Sequence, residues 1–302
     1  MPRRKTPQRV KRGPTEWTYL TRPPKSELQA LGKKFKLGAD HLDALMTESH
    51  RSRLFDSEDY ILLILIHPQF EADSDDVVLK ELDIIMTSKQ VITIQKSSLP
   101  GVRTMFKEVL KSKSHKSMSH PATLVSSILH ELVSDVYGTL DDIAERLDDM
   151  EQGILHKKHV LEDILTMQTN IIDIQKAIEN QSIMLDRFTA SLTKTTASKI
   201  RNQYNDLQMH LKEIQTSLRM EQMTAETLHR THETVLNYRT NSQIRLLTSL
   251  SLLVLPATLL AGIFGMNVQF PLVANIPINF WMIIGLMAVS GITVYVIGKA
   301  QK

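Results

Sequence analysis

The 302-residue chain has no cysteine. That excludes a disulfide-stapled secreted scaffold, thiolate metal sites and a cysteine nucleophile. Proline is missing between Pro121 and Pro256, and glycine from 154 to 261. Losing both helix breakers over that length strongly favours helix. Charge is missing from Leu246 to Gly298, where 53 residues include no Asp, Glu, Lys or Arg. A disordered chain does not hold so long an apolar-rich tract. There is no P-loop, no GxGxxG and no convincing nucleophile constellation, so the sequence does not read as an enzyme.

What is present is divided by position. The formal net charge of +3 hides three regions. Arg3, Arg4, Lys5, Arg9, Lys11 and Arg12 make a basic start, and residues 1–14 read as a disordered tail. No apolar h-region follows it, so it does not read as a signal peptide. Residues 13–245 hold 28 basic and all 33 acidic residues, a body of −5. Lys299 and Lys302 close the chain in a short basic tail, 299–302.

The uncharged tract contains two apolar runs of 19 residues, Leu246–Phe264 and Phe280–Gly298. A helix needs ~20 such residues to cross ~30 Å of hydrocarbon. The spacing predicts a first span over 246–266, an outer loop over 267–279 and a second span over 280–298. Phe280 and Trp281 open the second run and Tyr295 stands near its end, as interfacial aromatics do. Arg239 and Arg245 precede the first run, and Lys299 and Lys302 follow the second; the loop has no basic residue. The positive-inside rule then puts both termini in the cytoplasm and the loop outside.

Upstream, residues 121–245 read as a helical bundle and stalk. One helix starts near Pro121, with Leu124, Ile128, Leu132, Val136, Leu140, Ile143 and Leu147 on one face. A second covers roughly 155–190, and the polar stretch Ser191–Ser198 breaks it. A third starts near Ile200 and meets no breaker before the first span. Residues 15–120 read as an α/β domain. Strands are expected at Glu16–Thr21, Asp59–His67, Glu81–Met86 and Gln90–Ile94. The last two flank a Thr87-Ser88-Lys89 turn. Helices are expected at Ser26–Phe35, Asp40 to about Glu48 and Leu99–Leu110.

Gly265-Met266-Asn267 stands at the outer end of the first run. Alone, the glycine reads as a helix C-cap before a loop. In context, a long charged helix enters a proline-bearing span ending in IFGMN, then come a short loop, a last span and a basic tail. This resembles the CorA-type magnesium channel family, and the resemblance covers nearly the whole chain. Trp17-Thr18-Tyr19 followed by Ser26–Phe35, and the segment His41–Leu63, look like the family's opening elements. Asn241, Thr248, Pro256, Thr258 and Gly262 fall at family-like positions of its pore helix.

The resemblance implies a homopentamer in the plasma (inner) membrane, multi-pass, with the first span lining the pore and Gly265, Met266 and Asn267 forming the selectivity filter. Two spans per chain cannot enclose a polar path, so several copies must share it. Helical spacing assigns the pore face to Asn241, Ile244, Leu247 or Thr248, Ser251, Leu255, Thr258, Gly262 and Met266. Apolar collars at Ile244, Leu247 and Leu255 can gate by dewetting. The plainer reading has those Ser and Thr bonding backbone in a buried bundle. Arg245 matches the family's basic residue at the inner edge and is expected to point away from the path.

Mg²⁺ sheds its waters reluctantly. A ring of Asn267 carbonyls would hydrogen-bond those waters rather than replace them. One departure is that Val268–Asn279 has no acidic residue to concentrate cations, and related branches carry cobalt, nickel or zinc. Family members sense Mg²⁺ with carboxylates between subunits. The candidates here are Asp206 on the stalk with Glu71, Asp73, Asp75 or Asp76 from the α/β domain. Two histidine pairs, His156/His159 and His229/His232, have zinc-capable i, i+3 spacing, although eleven histidines make chance pairs common. The expected partners are further copies of the chain, the lipid bilayer and divalent cations, and not nucleic acid. No cofactor is implied beyond transported and regulatory Mg²⁺, with Co²⁺, Ni²⁺ or Zn²⁺ as the alternative cargo. A membrane-anchored helical scaffold is the competing reading from another class.

Overall fold

The computed structural model describes residues 8–71, 76–154, 160–192, 198–266 and 280–300. The chain divides into two compact units, Met1–His229 and Arg230–Lys302.

The first unit is built on a six-stranded mixed sheet. Its strands are β1 (Gln8–Arg12), β2 (Thr15–Thr21), β3 (Arg53–Asp56), β4 (Ile61–Phe70), β5 (Val77–Met86) and β6 (Gln90–Gln95), in the order β1-β2-β6-β5-β4-β3. Only β2 and β6 run parallel. β4 pairs with β5 along its whole length, from Ile61↔Met86 to Phe70↔Val77. Its run of Ile and Leu is buried on both faces, which explains why it shows no polar alternation.

One face carries Leu20, Leu62, Ile64, Ile85, Ile92 and Ile94 against Leu28 and Leu45 of α1 (Lys25–Lys34) and α2 (Ala39–Met46). The other carries Trp17 and Tyr19, which pack on Phe106 of α3 (Pro100–Lys111) at 5.0 and 4.9 Å between ring centroids. Trp17 is fully buried and donates its indole N–H to Thr93 at 3.0 Å.

A short 3₁₀ turn, Lys116–Ser119, leads to α4 (Pro121–Gly153), whose N-cap is His120, accepting from the Ala122 N–H. Pro121 starts this helix, a position where a missing N–H costs nothing. α5 (Val160–Leu192) follows, and then α6, one helix over Ser198–Phe264. Tyr204 of α6 is fully buried, stacks edge-on to Phe188 of α5 at 5.3 Å and donates its hydroxyl to the Ala122 carbonyl of α4. α7 covers Phe280–Ala300.

Two expectations need correction. Residues 8–12 are not a disordered tail: they form β1, which pairs antiparallel with β2. Val10 is buried, Gly13 turns the chain at φ +60, and Arg12 donates to the Ser112 and Leu110 carbonyls at the end of α3. β3 is a further strand, too short to show a pattern in the sequence. Residues 1–7, 267–279, where the outer loop is expected, and 301–302 lie outside the described residues.

Candidate functional site

The uncharged end of α6 is apolar enough to cross a membrane, and none of its most apolar stretch is buried in the chain. α7 has 21 residues, about 31 Å of helix. Among its described side chains, Ile284–Val296 form a continuous apolar stretch. Trp281 and Tyr295 are exposed near its two ends.

These two helices touch within the second unit. Gly291 of α7 is buried, and a Cβ there would lie 3.2 Å from the Leu253 carbonyl oxygen of α6. Ser249, Pro256, Leu260 and Phe264 of α6 are half-buried on the same side as Leu253. At about 100° per residue, Asn241, Ile244, Thr248, Ser251, Leu255, Thr258 and Gly262 lie about half a turn away. All seven are exposed, as are Leu247 and Met266. They form two heptad rows, 241/248/255/262 and 244/251/258, with Gly265 continuing the second. Leu247 and Arg245 fall on neither row.

The hydroxyls on this face are oriented by their own helix. Thr248 donates to the Ile244 carbonyl at 2.8 Å, and Thr258 to the Val254 carbonyl at 3.0 Å. With the hydrogen held by the backbone, each hydroxyl oxygen turns its lone pairs outward as an acceptor. Pro256 supplies no N–H, so the Leu252 carbonyl has no helical donor. The helix stops at Phe264. The Gly265 and Met266 N–H groups bond the Ala261 and Ile263 carbonyls at 2.9 and 3.3 Å. A Cβ on Gly265 would stand 2.8 Å from the Ala261 oxygen, closer than side chains tolerate. Asn267, the third member of the motif, lies outside the described residues.

The acidic candidates are in the first unit. Glu71 and Asp76 close the β4–β5 hairpin by a backbone hydrogen bond of 3.1 Å, and the Glu71 carboxylate lies 3.9 Å from Lys80. Asp73 and Asp75 lie outside the described residues, as do His156 and His159. Asp206, exposed on α6, sits close enough to His130 of α4 to favour its charged form. Among the described residues, no three His, Asp or Glu side chains are already gathered to hold a metal ion.

Around Asp206 is a polar cluster that the sequence did not single out. Tyr137 of α4 donates to Glu213 of α6 at 2.9 Å and lies 3.2 Å from His210 Nδ1, which is itself 3.2 Å from Glu213. Burial, then the Glu213 contact, pushes the Tyr137 hydroxyl up to about 12. The Tyr137 hydrogen bond holds the Glu213 carboxyl below its usual range. Burial, then the neighbouring His210, lowers His130. The i, i+3 spacing of His210 and Glu213 was the available signal, but the α4 partners 73 and 76 residues away were not.

An α/β unit with a helical hairpin, and a helix that runs on into an uncharged span partnered by a second apolar helix, have the architecture of a membrane-anchored protein. Residues 14–298 match the family model described as CorA-like Mg2+ transporter protein. The chain therefore belongs to the CorA-like Mg²⁺ transporter family: it is a divalent metal ion transporter, not an enzyme. It is 23% identical over 286 residues to the cobalt/magnesium transport protein CorA of Methanocaldococcus jannaschii, covering 90% of this chain and 86% of that one. The fold matches the complete structure of the CorA magnesium transporter from the same organism with a TM-score of 0.82. Identity there is 21%, over 94% of this chain and 90% of that one. It also matches full-length CmaX with a TM-score of 0.75 at 18% identity, over 95% and 88% of the two chains.

Proposed function

We propose that five copies of the chain assemble around the exposed face of α6 and conduct hydrated Mg²⁺ across the plasma membrane, with both termini in the cytoplasm. The observation that carries this reading is the division of α6. Ser249, Pro256, Leu260 and Phe264 on the side toward α7 are half-buried, and the opposite side is an uncharged seam in which Asn241, Thr248, Ser251, Thr258 and Gly262 stand among the apolar Ile244 and Leu255. Such a face suits a partner helix or a polar path better than lipid.

The chemistry follows from the ion. The waters around Mg²⁺ turn their oxygens inward and their hydrogens outward, so the wall must accept hydrogen bonds. Thr248 and Thr258 present acceptor lone pairs for this purpose, and Asn241 and Asn267 present amide oxygens. Gly265 allows the chain to leave the helix at the outer mouth, where an Asn267 ring would select for the hydrated ion. Ile244 and Leu255 are the dewetting collars. Arg245 lies off the seam, where it does not repel the cargo.

Gating is assigned to intracellular Mg²⁺ bridging Asp206 of one copy to Glu71 or Asp76, with Asp73 and Asp75, of the next. Losing that ion frees the stalks to move and the collars to hydrate. The experiment is Mg²⁺ uptake into liposomes, run beside Co²⁺, Ni²⁺ and Zn²⁺, with and without a pH gradient. Mg²⁺ flux that needs no proton gradient and is abolished by Asn267→Ala is expected. No Mg²⁺ uptake under any gradient overturns the reading, and preference for another ion reassigns the cargo.

A further inference from the structure

His67 sits on β4, on the sheet face turned away from α1 and α2, and is completely buried. Neither of its ring nitrogens has a hydrogen-bond partner. Buried polar groups are nearly always paired, because an unpaired one costs on the order of 1–3 kcal/mol. Its Nε2 faces Asp135 Oδ2 of α4 at 3.9 Å. That is too long for a hydrogen bond.

Asp135 is not alone. Glu131 lies one turn earlier on α4, at i, i+4, on the same helix face. Its Oε1 and the Asp135 Oδ2 lie 2.9 and 3.0 Å from the point a Cβ on Gly101 would occupy. A side chain at that position would have to displace the two carboxylates. The Asp135 side chain is 30% exposed, which gives the pocket an entrance. Lys80, a cation alongside, is the cross-strand partner of His67, and it donates to Gln69 at 2.8 Å and lies near Glu71.

We infer that the α/β unit carries a binding site for a transition-metal dication of the Zn²⁺/Co²⁺ class, with His67 Nε2 and Asp135 Oδ2 as the facing pair and Glu131, not gathered with them in this structure, as the third ligand once its side chain moves. One imidazole with two carboxylates suits these ions, whereas Mg²⁺ takes oxygen ligands and keeps its water. Bond lengths of about 2.0–2.2 Å at a tetrahedral angle need an N···O separation of about 3.4 Å, so the pair closes by about 0.5 Å. Glu131 swings one rotamer to join them, and water takes the fourth position. The site lies within the first unit and stands independently of conduction.

The test uses the metal-stripped full-length protein in detergent, with Co²⁺ as spectroscopic probe and Zn²⁺ as competitor. The wild type should bind Co²⁺ with a tetrahedral absorption that Zn²⁺ displaces and excess Mg²⁺ does not. Asp135→Asn and Glu131→Gln, both at the solvent edge, should each weaken that signal at least ~tenfold. His67→Gln should abolish it with the circular dichroism unchanged, and Asn267→Ala should leave it intact. No tetrahedral signal in the wild type, or equal affinity in the Asp135 and Glu131 variants, overturns the assignment. A Zn²⁺-soaked crystal with only a water between His67 and Asp135 does so as well.

Discussion

At the residue scale, the informative positions are those where one atom decides. Gly265 is constrained by approach and not by backbone sign, since a Cβ would meet the Ala261 carbonyl at 2.8 Å. Gly265→Ala must therefore displace the end of α6, and liposome flux should fall at least ~tenfold while the protein stays folded. Asp83 is a second such position. It is fully buried on β5, with Lys96 Nζ at 3.9 Å. Burial, then the neighbouring Glu81, holds its carboxyl well above the usual range. A raised acid keeps its proton in the folded state at pH values where the unfolded chain has lost it. Stability is therefore fully present below the ordinary carboxylate pKa and declines as pH rises toward the folded value. Asp83→Asn should flatten that decline in chemical denaturation followed from pH 4 upward. An unchanged pH slope would show that Asp83 is ionised in the fold.

At the element scale, the contact of α6 with α7 rests on a small residue. Gly291→Leu would push a side chain into the Leu253 backbone, at a cost of about 1–3 kcal/mol. A lower thermal-unfolding midpoint in detergent is expected, with the sheet intact by circular dichroism. Tyr204→Phe tests how α6 is tied to α4. Removing its hydroxyl from the Ala122 carbonyl should cost about 1 kcal/mol. Elements whose burial is periodic along the chain were legible in advance. α4 begins at Pro121 as expected, and α6 runs without break because nothing in it stops a helix except Pro256, which the span tolerates. β1 was not legible. Its residues QRVKR read as charge, and only pairing with β2 makes them a strand. The Gly13-Pro14 turn was the overlooked signal. β4 runs three residues past His67, through Pro68, because β5 is long enough to pair with it.

At the scale of the whole molecule, the uncharged tract and the family likeness made the membrane end legible, and the face of α6 could be ranked from spacing alone. What spacing could not supply was the position of α7. Gly291 on Leu253 fixes which side of α6 is covered by α7. The cluster of Tyr137, His130, His210 and Glu213 was invisible for the same reason, since it joins helices more than 70 residues apart in sequence. The regulatory proposal adds a test of its own. Asp206→Asn should leave Mg²⁺ uptake active at internal Mg²⁺ concentrations that close the wild type.

The missing cysteines allow the central claim to be tested directly. Single substitutions Asn241→Cys, Thr248→Cys, Ser251→Cys, Leu255→Cys and Thr258→Cys can be placed on the seam, with Leu253→Cys and Leu260→Cys on the α7 side. Each is reconstituted and its Mg²⁺ flux measured before and after a charged, water-soluble thiol reagent. Conduction along the exposed face of α6 predicts block at the seam positions, repeating every three to four residues, and none at 253 and 260. Block at 253 and 260, or at no seam position, would contradict it.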